Sequence, residues 1–285
     1  MRVVLVGVAA IALWVATPLA GPGPQAVAQA PVGQPAAAPA AVPALSDEQI
    51  GEFLRAARIV RTKGVGKGVT GTIRATLTDG TFTHDAQIQT VDEKKSQFDA
   101  PGATEFNFQD SWKFNVAAYR LDRLIGLNMV PVSVSRAWRS KPAAFTWWID
   151  DVMMEEGKRL KDKTQPPNSA AWNEQMALVR LFDQLIYNVD RNMGNLLIGS
   201  TWRVWAIDHS RSFRSHKTLK TPANVTRCDR QVLEGLRRLT RETLEREIGD
   251  YVTGYEIAGL LARRDKIVEI IEKAGPAAVF DRRAY

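Results

Sequence analysis

Two aspartates, Asp190 and Asp208, each close an apolar run in "YNVDRNMGNLLIGSTWRVWAIDHSRSF", residues 187–213, and Asn192 and Asn195 follow the first of them. Asp and Asn are common in turns, where their side chains cap local backbone groups. The same residues also suit phosphoryl transfer. That chemistry needs a carboxylate to orient or deprotonate the attacking hydroxyl, a metal pair against the nucleotide phosphates, and a cover over those phosphates. Mg²⁺ takes an octahedral oxygen shell with one or two carboxylates, the rest being water and phosphate. Asp190 fits the first role, and Asn195 and Asp208 fit the metal pair. "NLLIG" and "WRVWAID" read as short strands whose hairpin would bring Asn195 and Asp208 together. Gly64, Gly66, Gly68 and Gly71, in "GVGKGVTG" around Lys67, read either as a flexible loop or as the phosphate cover.

The elements that must position these residues can be read from periodicity and breakers. Ser46 and Gln49 form a capping box at the start of a helix whose stripe runs through Ile50, Phe53, Leu54, Ala57 and Ile59. Ile73, Ala75 and Leu77 alternate with polar residues, Asp79-Gly80 marks a hairpin turn, and Ala86 and Ile88 lie on the returning strand. Residues 93–107 read as a loop broken by Pro101 and Gly102. Phe114, Ala117, Ala118, Leu121, Leu124 and Ile125 line one face of a helix that Gly126 stops. "MVPVSVSRAWRS" and "PAAFTWWIDDV" read as strands, and residues 150–167 as a boundary between lobes. Trp172, Met176, Val179, Phe182 and Ile186 recur at helical spacing, and three amphipathic helices follow over 227–239, 240–251 and 256–273.

Two separated segments carry a family resemblance. Asp190-Arg191-Asn192-x-x-Asn195 followed by Ile207-Asp208-His209-Ser210 resembles the Asp-Arg-His-x-x-Asn and Ile-Asp-x-Gly pattern of phosphoinositide kinases and related atypical kinases. "AAYRLDRLIGLNMVPV" together with "FDQLIYNVDRN" looks like the secreted Golgi protein kinases and their bacterial relatives. The likeness runs from about Gly64 to Phe213. It implies a two-lobed α+β kinase-like fold, with a small β-hairpin and helix lobe and a mainly helical second lobe. It also implies ATP with Mg²⁺ or Mn²⁺ as cofactors. In the Golgi kinases the returning hairpin strand carries a lysine for the phosphates, and a helix glutamate pairs with it. Here Gln89 and Asn115 fall on those positions. An amide pair would still tie strand to helix, but it loses the cationic clamp. Lys67 could restore the charge from the glycine-rich loop, as in the with-no-lysine kinases, with Lys63, Lys94, Lys95 and Lys113 as weaker candidates.

Composition narrows the partners. The 285 residues carry 38 Lys+Arg against 31 Asp+Glu, a net charge of +7, without a dense basic block interleaved with aromatics, so nucleic-acid binding has little support. Three histidines and one cysteine, Cys228, offer no zinc spacing and no intrachain disulfide. His84 and His216 read as hydrogen-bonded polar residues, Trp147-Trp148 as packing, and no serine sits in a nucleophile elbow. The apolar run from Val3 to about Val15, then Ala26 and Ala28 before Gln29, reads as an export signal over 1–28. Left uncleaved, it would be the chain's membrane anchor. Residues 29–45 read as a Pro/Ala-rich linker, 46–150 as the first lobe and 151–285 as the second. The expectation is an exported protein, periplasmic or secreted, that binds a nucleotide and moves a phosphoryl group to a protein, sugar or lipid hydroxyl. A nucleotide-binding pseudokinase or interaction module is the alternative, and a purely structural domain or AMP transfer would be compatible with the same residues.

Overall fold

The computed structural model describes residues 45–64, 72–100 and 103–282. The expected signal, nearly all of the linker, and Gly66, Lys67, Gly68 and Gly71 lie outside those residues.

Helix α1 (Asp47–Ala56) starts on the expected capping box, with Ser46 and Gln49 bonded reciprocally. It ends earlier than its apolar stripe suggests. Ile59 belongs instead to strand β1 (Arg58–Gly64). Arg136 closes the helix by donating to the carbonyls of Leu54 and Ala57 at 3.0 and 2.7 Å. Strand β2 (Ile73–Thr78) and strand β3 (Thr83–Gln89) form the expected hairpin. Its turn is set by Asp79, whose Oδ1 accepts from the amides of Thr81 and Phe82 at 2.8 Å, while Gly80 takes φ +103°.

Residues 93–107 depart from the expected loop. They lie in a two-stranded hairpin, β4 (Asp92–Ala100) and β5 (Ala103–Ser111), with Pro101-Gly102 between the strands. The segment lacks a β-branched apolar alternation, so the strand signal in the sequence is weak. What holds the pair beyond its backbone ladder is the stack of Phe98 on Phe108, centroids 4.4 Å apart, with the Lys95 ammonium over both rings.

Helix α2 (Lys113–Leu124) follows, and its stop is more elaborate than the glycine alone. Gly126 takes φ +71°, and the fully buried Asp122 accepts from the amides of Met129 and Val130 at 2.9 and 3.1 Å. Arg123 pairs with Asp122 and Asp47 and donates to the Val130 carbonyl. The Leu-Asp-Arg of the resemblance therefore shapes the turn into strand β6 (Ser133–Trp138) and strand β7 (Lys141–Trp147). The main antiparallel sheet runs β1-β2-β3-β7-β6. Its core gathers Phe53, Leu54, Leu77, Ile88, Val134 and Phe145.

The segment 150–167 holds strand β8 (Met154–Glu155) and helix α3 (Glu156–Asp162). Helix α4 (Ser169–Leu185), capped by Asn168, follows. Strand β9 (Leu196–Ile198) and strand β10 (Val204–Ala206) form the expected short hairpin, and β8 joins it as β10-β9-β8. Strand β11 (Cys228–Asp229) precedes helices α5 (Arg230–Arg238), α6 (Arg241–Ile248) and α7 (Gly254–Ala274), and strand β12 (Val279–Phe280) pairs back onto β11. The larger core joins Leu178, Leu181, Phe182 and Leu185 of α4 with Leu260, Ile267 and Ile271 of α7. Helix α2 packs on both sides, giving Phe114, Ala118 and Leu121 to that core and Val116 to Ala144 of the sheet. No helix among the described residues is long and apolar enough to cross a membrane.

Candidate active site

The loop after α4 is fixed by Asp183, buried in the helix's last turn. Arg191 grips it in a fork, Nε to Oδ2 at 3.0 Å and Nη2 to Oδ1 at 2.9 Å. The remaining guanidinium nitrogen, Nη1, donates to the carbonyls of Asn195 and Ile207 at 3.1 and 2.7 Å. One side chain thus joins helix, loop and the β9–β10 hairpin. Asn188 bridges the same carboxylate to the Asp190 amide, donating to Asp183 at 3.0 Å and accepting from Asp190 N at 2.9 Å. The Asp190 carboxylate is left half-exposed, with Arg211 Nη1 3.8 Å away.

Asn195 and Asp208 meet across the base of that hairpin. The amide of Ile207 donates to the Asn195 carbonyl at 3.0 Å, and Asp208 follows at φ +54°, a conformation rare outside glycine. Asp208 Oδ1 is buried and has no hydrogen-bond partner among the described residues. Backbone strain and an orphaned buried acceptor at one residue are both costly. An oxygen-seeking cation fits such an acceptor, so the donor set suits Mg²⁺ or Mn²⁺. Among the described residues no three His, Cys, Asp or Glu side chains form a group that could hold a metal unaided, so amide and phosphate oxygens would have to complete the shell.

Asn115 links the parts. Its Nδ2 donates to Gln89 Oε1, and its Oδ1 accepts from the His209 amide at 2.7 Å. The expected amide pair therefore exists, and it also holds the loop carrying Asp208. Gln89 is 1% exposed and lies behind the site. Gln87, two residues earlier on the same strand face, lines the cleft instead. Burial, with Arg191 nearby, drives the His209 imidazole well below its ordinary pKa, so it stays neutral.

Asp190, Asn195 and Asp208 line one cleft of about 930 Å³, with Trp147 and Trp148 among the residues across it. Trp147 also packs on Phe53, Phe82 and His84, as expected of a packing residue, while His84 bonds to Asp150 at 2.7 Å. Arg211 is the only lysine or arginine among the described residues lining the cleft. Of the weaker lysine candidates, Lys113 pairs with Asp92 at 2.9 Å and Lys95 with Glu93 at 2.7 Å. Gly64 ends β1, paired with Ile73, and a side chain there would meet no described atom within 4 Å. Burial raises the pKa of Asp190; Arg211 opposes the shift and Asp208 adds to it.

Several residues of the site escaped the sequence reading. Arg211 is held by Glu105, which also takes Arg214 at 2.5 Å. Asp110 on β5 is 6% exposed, lines the cleft, and has its carboxyl pKa raised by burial, with Asp208 and Asp190 adding to the shift. Glu105 sits in the stretch read as a loop, and Asp110 lies just beyond it on the same hairpin. Asp183 and Arg191 do stand inside the motif segment, so their partnership had a sequence signal.

No family model and no curated protein matches the sequence. Solved structures do match. Hydra Fam20, determined with sugar, superposes at TM-score 0.63 and 14% identity over 84% of this chain and 93% of that one. The Golgi casein kinase with Mn/ADP bound superposes at TM-score 0.58 and 13% identity over 83% and 78%. At these identities the likeness speaks for architecture. The chain has the two-lobed, α+β kinase-like fold of Fam20 and the Golgi casein kinase.

Proposed function

We propose that this chain is an exported kinase-like phosphotransferase that binds ATP with Mg²⁺ or Mn²⁺ and phosphorylates a hydroxyl. The observation that carries the reading is the convergence of Asp190, Asn195 and Asp208 on one cleft, with Asp208 Oδ1 buried and unpartnered. The Mn/ADP bound to the Golgi casein kinase supports the cofactors, and the sugar on hydra Fam20 supports a sugar hydroxyl among the protein, sugar and lipid acceptors. The export signal over 1–28, the linker over 29–45 and lobes over 46–150 and 151–285 belong to the same reading.

Asp190 orients the acceptor hydroxyl and takes its proton as the oxygen bonds to the terminal phosphorus and the bond to the leaving diphosphate oxygen breaks. Asn195 and Asp208 hold the metal, which when bound neutralises charge on the phosphates. Gly64, Gly66, Gly68 and Gly71 cover the phosphates, and Lys67 brings a cation from that loop. Gln89 and Asn115 keep the strand and the Asp208 loop in place without charge.

The test is transfer of labelled γ-phosphate with Mg²⁺ or Mn²⁺ by wild type, Asp190→Asn and Asp208→Asn. Each substitution should cost roughly a hundredfold or more in rate. Equal rates in all three would sink the assignment.

The neutral Gln89–Asn115 pair favours a second reading, a nucleotide-binding pseudokinase. It expects ATP to raise the melting temperature without turnover, and Gln89→Lys to raise turnover. Under the first reading, Lys67→Ala abolishes transfer.

A further inference from the structure

We propose that Asp110 is a further metal-binding carboxylate of the cleft, delivered by the β4–β5 hairpin to act with Asp208 on one Mg²⁺ or Mn²⁺. The inference rests on the reading of Asp208 as a metal ligand. Asp110 is 6% exposed yet lines the same cleft as Asp208. Its Oδ1, like Asp208 Oδ1, is buried with no hydrogen-bond partner among the described residues. Two orphaned anionic oxygens on one cavity wall are destabilising by themselves. A divalent cation satisfies both at once.

The backbone brings together the two segments that carry these carboxylates. The amide of Ser111 donates to the Ser210 carbonyl at 2.9 Å, and Asn115 Oδ1 holds the His209 amide at 2.7 Å. The end of β5 is therefore zipped to the loop that carries Asp208. The Ser210 side chain favours the ionised form of the Asp110 carboxyl, and Oδ1 remains without a partner among the described residues. A competing salt bridge is weakened because Arg211, the cation of the cleft wall, is engaged by Glu105 and reaches toward Asp190. Two carboxylates and the Asn195 amide are all hard oxygen donors, which suit Mg²⁺ or Mn²⁺.

The test measures manganese(II) binding with ADP by electron paramagnetic resonance, on wild type, Asp110→Asn and Asp208→Asn, with melting curves in chelator and in Mn²⁺. Asp110→Asn should weaken Mn²⁺ binding by about tenfold or more. It should melt at or above wild type in chelator, because a buried unpaired carboxylate is gone, and below wild type in Mn²⁺. Unchanged Mn²⁺ affinity, or one melting deficit in both conditions, would overturn the inference. If only Asp208→Asn weakens binding, this inference falls and the proposed function stands. If wild type binds no Mn²⁺, both fall. Should Asp110→Asn not fold, manganese anomalous scattering from wild-type crystals decides. A peak about 2 Å from Asp110 is expected, and a peak out of its reach refutes the role.

Discussion

Replacing Arg191 tests whether the two catalytic segments are held as one unit. Its side chain and that of Asp183 are each 11% exposed. Arg191→Ala strands the Asp183 carboxylate with Asn188 as its remaining hydrogen-bond donor and removes the guanidinium donor from the carbonyls of Asn195 and Ile207, of which Asn195 keeps the Ile207 amide. Breaking a buried pair from one side costs about 3–5 kcal/mol. For a domain of this size each kcal/mol is worth roughly 2–4 °C, so the melting temperature should fall by about 6–20 °C. Arg191→Lys keeps a positive charge for Asp183 but cannot also reach both carbonyls, and should cost about 1.5–3 kcal/mol. Asp183→Ala combined with Arg191→Ala should cost less than the sum of the singles, because no stranded charge remains. The assay is urea denaturation of all four variants with a common m-value. A loss below about 1 kcal/mol in Arg191→Ala would refute the reasoning, since a buried charge pair cannot be cut from one side so cheaply.

Other outcomes follow from single contacts. Asn115→Ala should destabilise by about 1–3 kcal/mol, because it orphans the buried His209 amide as well as losing the bond to Gln89; a urea melt checks this. Burial raises the pKa of Asp190 and Arg211 opposes the shift, so Arg211→Ala should raise it further. Asp190 must be ionised to accept a proton, so activity is lost as pH falls through that pKa, and the acidic limb of the kcat/KM profile should move to higher pH. An unmoved limb would uncouple the two residues. Gly235 of α5 packs so closely on the end of α2 that a methyl group would sit 2.6 Å from Ile125 Cα and O. Gly235→Ala should therefore cost about 1–3 kcal/mol or more, read by thermal denaturation.

Local signals in the sequence carried far. The Ser46–Gln49 box, the Asp79-Gly80 turn and the helix stopped at Gly126 all depend on neighbours a few residues apart, and all are present. The pairing of Gln89 with Asn115 was legible through resemblance, since two charges absent together suggested one contact. What stayed hidden depends on distant partners. The β4–β5 hairpin is polar and stabilised by two stacked phenylalanines and a backbone ladder, so no period announces it. Its acids, Glu105 and Asp110, belong to no motif, and only the fold sets them against Arg211 and Asp208. Asp122 looks like a surface residue on a helix, but it is fully buried because the following turn needs its carboxylate.

Calorimetric titration of ADP with Mn²⁺ into wild type and Asp208→Asn tests the proposed nucleotide–metal cleft most directly. The expected result is saturable binding by wild type that weakens by roughly tenfold or more in Asp208→Asn. No binding by wild type, or equal affinity in the two proteins, would contradict it.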